Sequence, residues 1–297
     1  MRHPWRRRSG HHRSSPKSVH RGQLPHDPGT HPTRVFHRFL SRVLSEADDS
    51  DWMLKGGTAM LARVASARTT IDVDLSRRSR TLDTALDDLR RLAAVDLGDF
   101  FRFDYTGYSN AIDGNQQTYT EGYQVSFDVY VGAKKKDSFH VDPVVNVVMT
   151  GEVEIAEPAN ALELPKLPSN PYRLYPVVDQ IADKVCATLA LYNGRPSSRE
   201  KDLVDLVVLA ATQTVDATKL RRALDAEARV RSLRLPGDLD TPANWGARYT
   251  KPASNVPACA GFETVELARK PMLTFLSPVL RGDASGLTWS PESLTWG

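Results

Sequence analysis

Residues 52–75, WMLKGGTAMLARVASARTTIDVDL, constrain this chain more than any other stretch. They read as strand, glycine turn, helix and strand. Trp52-Met53-Leu54 is a short apolar run that stops at Gly56-Gly57, where a backbone takes φ > 0 or lets a ligand approach closely. Thr58 is a helix-capping residue type, and Met60, Leu61 and Val64 give the helix it would open an apolar side. In Thr69–Leu75 β-branched residues predominate and side chains alternate. Ile71, Val73 and Leu75 then share one face, and Asp72 and Asp74 the other.

Two carboxylates two residues apart on one strand face repel unless a cation lies between them, one keeps a proton, or water solvates both. A bare D-x-D pattern more often marks an exposed edge strand with two solvated acids than a metal site. Gly56-Gly57-Thr58 upstream, with Thr70 two residues before the first acid, favours the metal. Mg²⁺ with nucleotide phosphates would relieve the repulsion, and a glycine turn opening a helix would cradle those phosphates.

Net charge is +3 over 297 residues, but residues 1–33 hold seven Lys/Arg and one Asp, so the remainder is mildly acidic. That first segment has six of the eight histidines, many Arg, Ser, Pro and Gly, and almost no aliphatics. It cannot bury enough surface to offset its ordering entropy and is expected to be a disordered basic tail. It lacks the apolar core of a secretory signal. A non-functional tail is favoured slightly over an arm that attracts RNA. Cys186 and Cys259 lie far apart and form no metal or disulfide pattern, which suits a reducing cytoplasm. No run is long enough to span a membrane.

Val35/Phe36, Phe39/Leu40 and Val43/Leu44 predict a helix before the first strand, and Leu82, Leu86, Leu89 and Leu92 a second one after the D-x-D strand. Strands are expected at Phe100–Tyr105, Val125–Val131 and Phe139–Val148, with a basic turn at Lys134-Lys135-Lys136 and a long loop over 106–122. The last two strands each carry an acid, Asp128 and Asp142. Residues 151–175 read as an extended crossover. Beyond it the chain turns helical. Pro176–Leu191 has a face Val177, Ile181, Lys184, Thr188, Leu191, in which the lysine either snorkels to water or turns to an anion. The next helix, from Glu200, is apolar nearly all round, yet carries Asp202 and Asp205 on one side. Buried acids need partners, and Lys184, Arg199 or a bound nucleotide are the candidates, an internal ion pair between helices being the structural alternative. A helix over Thr218–Val230 and a short one near Glu263–Lys270 follow, and Trp245, Trp289 and Trp296 are expected to cover the helical core.

Gly56-Gly57-Thr58 followed by Thr70-Ile71-Asp72-Val73-Asp74 resembles the first motif of the DNA-polymerase-β-type nucleotidyltransferases. K-G-G-T-A with R-T-T-I-D-V-D-L, and I-A-D-K-V-C-A with S-R-E-K-D-L-V-D-L, resemble more narrowly the AbiEii/MenT nucleotidyltransferase toxins of bacterial toxin–antitoxin systems. The resemblance spans roughly residues 50–212. It departs at Gly57, where many polymerase-type enzymes have a serine that touches phosphate; Thr58 or the backbone would take that part.

The resemblance implies an α/β fold, a nucleotidyltransferase domain with a mixed sheet over residues 34–165, then a mainly helical domain over 166–297, with the site in the cleft between them. It implies that Asp72, Asp74 and Asp142 hold Mg²⁺ or Mn²⁺; F-H-V-D-P-V-V resembles the strand that supplies the third carboxylate, with Asp128 in reserve. Gly56, Gly57, Thr58 and Thr70 would bind the triphosphate. Lys184 and Asp202 are the essential pair of the later motifs, with Asp205 beside them. The implied reaction moves a nucleoside monophosphate from an NTP, CTP or GTP, to the 3′ end of tRNA, in the cytoplasm and under a cognate AbiEi-type antitoxin. A protein side chain as acceptor would leave the same core motif, whereas the intact D-x-D, lysine and aspartate set argues against the other alternative, a non-catalytic interaction protein on the same scaffold.

Overall fold

The structure is a computed structural model and describes residues 32–46, 49–67, 70, 73–78, 81–109, 121–157 and 170–297. Most of the expected basic tail, Asp72, and the greater part of the expected loop at 106–122 lie outside the described residues.

The first half runs α1 (Pro32–Val43), β1 (Trp52–Leu54), α2 (Gly56–Arg63), β2 (Val73–Arg77), α3 (Leu82–Ala93), β3 (Phe101–Ser109), β4 (Glu121–Gly122), β5 (Gln124–Val131), β6 (Lys134–Val145), β7 (Glu154–Ala156) and β8 (Tyr172–Leu174). The second half runs α4 (Val177–Leu189), β9 (Leu191–Tyr192), β10 (Arg195–Pro196), α5 (Glu200–Thr212), β11 (Val215–Asp216), α6 (Ala217–Val230), α7 (Ala247–Ala253), α8 (Val265–Arg281), β12 (Thr288–Ser290) and β13 (Thr295–Trp296). The first eight strands form one mixed sheet, ordered β3-β5-β6-β2-β1-β8-β7, with β4 beside β6. β2 runs parallel to β6 and antiparallel to β1.

One face of this sheet is apolar. Val73, Leu75, Val125, Phe127, Val129, Val141 and Val145 are buried there against Phe39, Leu40 and Val43 of α1 and Leu86, Leu89 and Leu92 of α3. These are the stripes that the 3.6-residue and two-residue periods place on single faces. A second core, centred on α5, joins α4, α6, α7 and α8 and takes in Met60 from α2. α5 is buried on nearly every side, as its all-round apolar sequence requires. Trp289 and Trp245 are buried in that core with their indole N–H groups on the Ala210 and Ser197 carbonyls, and Trp296 stacks on Phe275.

Four expectations are corrected. Lys134, Lys135 and Lys136 open β6; the turn before them is at Gly132-Ala133, where Gly132 has φ +58°. Thr58 does not cap α2, because the helix starts at Gly56 and the Thr58 hydroxyl accepts from the Asp74 N–H at 3.2 Å. The crossover over 151–175 supplies two strands, β7 and β8, the latter paired in parallel with β1. The short helix near 263–270 is the first half of the seventeen-residue α8, which continues through Pro271 and Pro278 because packing of Met272, Phe275, Leu276 and Val279 offsets the lost hydrogen bonds.

Candidate functional site

The strand–turn–helix–strand unit brings its polar groups to one corner of the sheet. β1 ends at Leu54, and Gly56 turns the chain with φ +54°. A Cβ there would lie 2.6 Å from the Asp74 Cγ and nearer still to its Oδ2, so this position admits only glycine without moving the carboxylate. The Gly57 N–H donates to Asp74 Oδ2 at 2.9 Å, and a Cβ on Gly57 would press on Thr70 at 2.9 Å. Lys55 N–H donates to the Asp74 carbonyl at 3.0 Å. Turn, first helical turn and Asp74 are thus one hydrogen-bonded piece, with Thr70 against it.

Asp142 belongs to the same corner. In the parallel pairing of β2 with β6, Asp74 and Asp142 are direct partners, on the face opposite the buried Val73, Leu75 and Val141. Asp128 does not reach β2: it lies on β5, opposite Ser138, and accepts from Lys135 Nζ and Ser138 Oγ, both at 2.6 Å. Those two donors hold its carboxyl below the usual range. Among the described residues no group of three or more His, Cys, Asp or Glu side chains converges as a metal site.

On the helical side, Lys184 is 3 % exposed, and its ammonium donates to Asp205 at 2.6 Å and Asp202 at 3.3 Å. Asp202 also receives the guanidinium of Arg199, the residue just before its own helix. Burial works against the Asp202 carboxylate, but Arg199 and Lys184 outweigh it and hold its pKa below the ordinary value. The internal ion pair anticipated between two helices is present, and it joins α4 to α5. α4 also touches the glycine turn. Gln180, one helical turn before Lys184, donates to the Gly56 carbonyl at 2.9 Å, and Asp183 faces Lys55 Nζ at 3.5 Å.

Sequence reasoning missed this second network. Asp183 pairs with Arg231, which in turn pairs with Glu227 at 2.6 Å, so Lys55, Asp183, Arg231 and Glu227 form a chain of alternating charge from the glycine turn to α6. Burial opposes the Asp183 charge, yet Lys55 and Arg231 pull its pKa far down. Burial and the nearby Asp183 push Glu227 up against the pull of Arg231. The only sequence signal for Lys55 was its place between a buried strand and the turn.

The family model described as "Nucleotidyl transferase AbiEii toxin, Type IV TA system" matches residues 38–277, well over half of the chain. Among solved structures, JHP933 from Helicobacter pylori is 15 % identical with a TM-score of 0.39, the match covering 81 % of this chain and 93 % of that one. The antibiotic-resistance factor ANT(2″)-Ia is 17 % identical with a TM-score of 0.32, covering 67 % of this chain and 94 % of that one. No protein of curated function matches. At those scores the solved structures add nothing to the assignment, which rests on the family match, and by that match the chain belongs to the AbiEii nucleotidyl transferase toxin family of type IV toxin–antitoxin systems.

Proposed function

We propose that this chain transfers a nucleoside monophosphate from an NTP to the 3′ acceptor end of tRNA and so blocks translation. In this reading it acts in the cytoplasm as a toxin restrained by an AbiEi-type antitoxin, with CTP or GTP as the expected donor. One observation carries the reading: Asp74 and Asp142 stand in register on neighbouring strands, beside a turn where Gly56 has no room for a side chain. A cation between them would relieve the repulsion of like charges so placed, and two hard carboxylate donors suit Mg²⁺ or Mn²⁺. Asp74 and Asp142 would hold the metal together with Asp72, which lies outside the described residues. When bound, the metal neutralises triphosphate oxygens and lowers the pKa of the attacking hydroxyl.

The chain's own residues then position and neutralise. Gly56 and Gly57 keep side chains away from the triphosphate, and Thr58 and Thr70 line its approach. Lys184 supplies positive charge from the helical side, oriented by Asp202 and Asp205. The acceptor's 3′ oxygen attacks the α-phosphorus, the bond to the β,γ-phosphates breaks, and pyrophosphate departs. Most of the barrier lowering comes from alignment and fixed charge. Residues 34–165, with β8 completing their sheet, would present the metal and triphosphate, and the helical part of residues 166–297 would close over them as the second domain. Among the described residues no helix is long and apolar enough to cross a membrane, and both cysteines are free thiols buried in the protein, which is compatible with a cytoplasmic site of action.

The test is label transfer. The protein is incubated with Mg²⁺, total tRNA, a total protein extract and each α-³²P-NTP in turn, beside Asp142→Asn and Asp74→Asn. Label on tRNA from the wild type alone is the expected result and names the nucleotide. Label on protein only would move the acceptor to a side chain. Absence of label with every NTP would leave a non-catalytic interaction protein.

A further inference from the structure

The sheet face that carries Asp74 and Asp142 does not end at β6. On β5 the buried side chains alternate with half-exposed ones. Strand pairing puts Ser126 opposite His140, Asp128 opposite Ser138, and Tyr130 opposite both Lys135 on β6 and Arg102 on β3. All these face the same way as Asp142, since directly paired residues and residues two apart share a face. His140, exposed, lies two residues before Asp142, about 7 Å along β6. Its Nδ1 meets the Ser126 hydroxyl at 3.0 Å. Farther out, the Arg102 guanidinium lies 4.3 Å from the centroid of the Tyr130 ring. From Asp142 to that stacked pair is roughly 20 Å along the strand.

We propose that this open face of β3, β5 and β6 is the platform for a single-stranded RNA acceptor, with its 3′ end at Asp142 and a base several nucleotides back stacked on Tyr130 and Arg102. The proposal deepens the transfer reading and rests on it for the position of the 3′ end. The chemistry of the face selects the class of ligand. A tyrosine ring with a guanidinium against it offers planar π surface, which holds unpaired bases of any sequence. The imidazole and hydroxyl of His140 and Ser126 supply the donors and acceptors that ribose and phosphate need on the way to the site.

The outward positions of β3 and β5, among them Arg102, Asp104, Gln124, Ser126, Asp128 and Tyr130, include no aliphatic residue to anchor a polypeptide. Charge on the face is nearly balanced, because Arg102 pairs with Asp104 at 3.1 Å and Lys135 with Asp128 at 2.6 Å. Stacking therefore dominates over bulk attraction. Two basic groups limit this face's share of the slope of log K against log salt to about −1.4, at about −0.7 for each phosphate neutralised on a single strand.

The experiment is fluorescence anisotropy of a short 5′-labelled single-stranded RNA with the full chain, without NTP, for wild type, Tyr130→Ala, Tyr130→Phe and Arg102→Ala. Circular dichroism of each variant checks folding, and the side chain of Arg102 is 59 % exposed, so its removal leaves the core alone. Tyr130→Ala is expected to weaken RNA binding about tenfold or more, Tyr130→Phe to retain it, and Arg102→Ala to weaken it and flatten the salt slope by about 0.7. Wild-type binding in both Tyr130→Ala and Arg102→Ala would overturn the proposal, as would a wild type that binds no RNA. Catalysis is not read in this assay. RNA binding that depends on Tyr130, with no label transferred to tRNA by the wild type, would sink the transfer reading and leave the platform standing.

Discussion

Gly56→Ala separates backbone conformation from the placement of Asp74. Gly56 has φ +54°, and an alanine held there costs about 1–2 kcal/mol of left-handed strain. The added methyl would also sit 2.6 Å from the Asp74 Cγ, where carbons ordinarily stay 3.5–4.0 Å apart. The carboxylate has to retreat by about an ångström and stretch its bond to the Gly57 N–H, a charged hydrogen bond worth about 1.5–3 kcal/mol. A total loss of about 2–4 kcal/mol follows, or roughly 2–4 °C in Tm for each kcal/mol. An ångström of misplacement at the reacting centre costs about 10²-fold in rate. Gly98 is the control: its φ is +66°, and nothing lies within 4 Å of its Cβ position. Gly98→Ala should lose only the strain, about 1–2 kcal/mol, and keep full transfer activity. Thermal melts and label transfer on both variants decide it. Equal activity in Gly56→Ala and Gly98→Ala would refute the claim that the glycine exists to seat Asp74.

Two more outcomes follow from the buried charges. Lys184→Met leaves Asp202 and Asp205 buried without their shared ammonium and should destabilise the protein by about 3–5 kcal/mol, seen as a large fall in Tm. A Tm within a degree or two of wild type would show that the pair opens freely to water. Asp202, Asp183 and Asp99 all have folded pKa values below the usual carboxylate value, so they bind protons less readily in the folded state. Their stabilisation is present above the unfolded value of about 3.9 and is lost as pH falls through the lower folded values. Urea melts should give steady stability above about pH 5 and a steep decline below about pH 4, shallower in Asp202→Asn. An acid limb unchanged in that variant would contradict the assignment.

The parts of the fold legible in the sequence were those fixed by local periodicity. The two-residue alternation of β2 and β5, and the helical stripes of α1 and α3, put the right side chains in the core because one face of each had to be buried. Asp74 was legible for the same reason, since it falls on the opposite face by count. Apart from Lys184 with Asp202 and Asp205, ion pairs between distant segments were not. Nothing in the local pattern singled out Arg38 and Arg42 of α1, yet both are buried on Asp99, fifty-seven or more residues away. The Lys55–Asp183–Arg231–Glu227 chain is likewise a product of how α4 and α6 dock beside the turn. α8 was misread because proline is a local stop signal, and tertiary packing outweighed it. The lysines of β6 looked like a turn because strand propensity says little about residues on a solvated strand end.

The most direct test of the central claim is equilibrium binding of a radiolabelled NTP with and without Mg²⁺, in wild type, Asp142→Asn and Asp128→Asn. If Asp74 and Asp142 hold the metal that seats the triphosphate, wild type and Asp128→Asn bind only with Mg²⁺, and Asp142→Asn binds in neither condition. Binding that ignores Mg²⁺, or that fails equally in Asp128→Asn, would contradict the account.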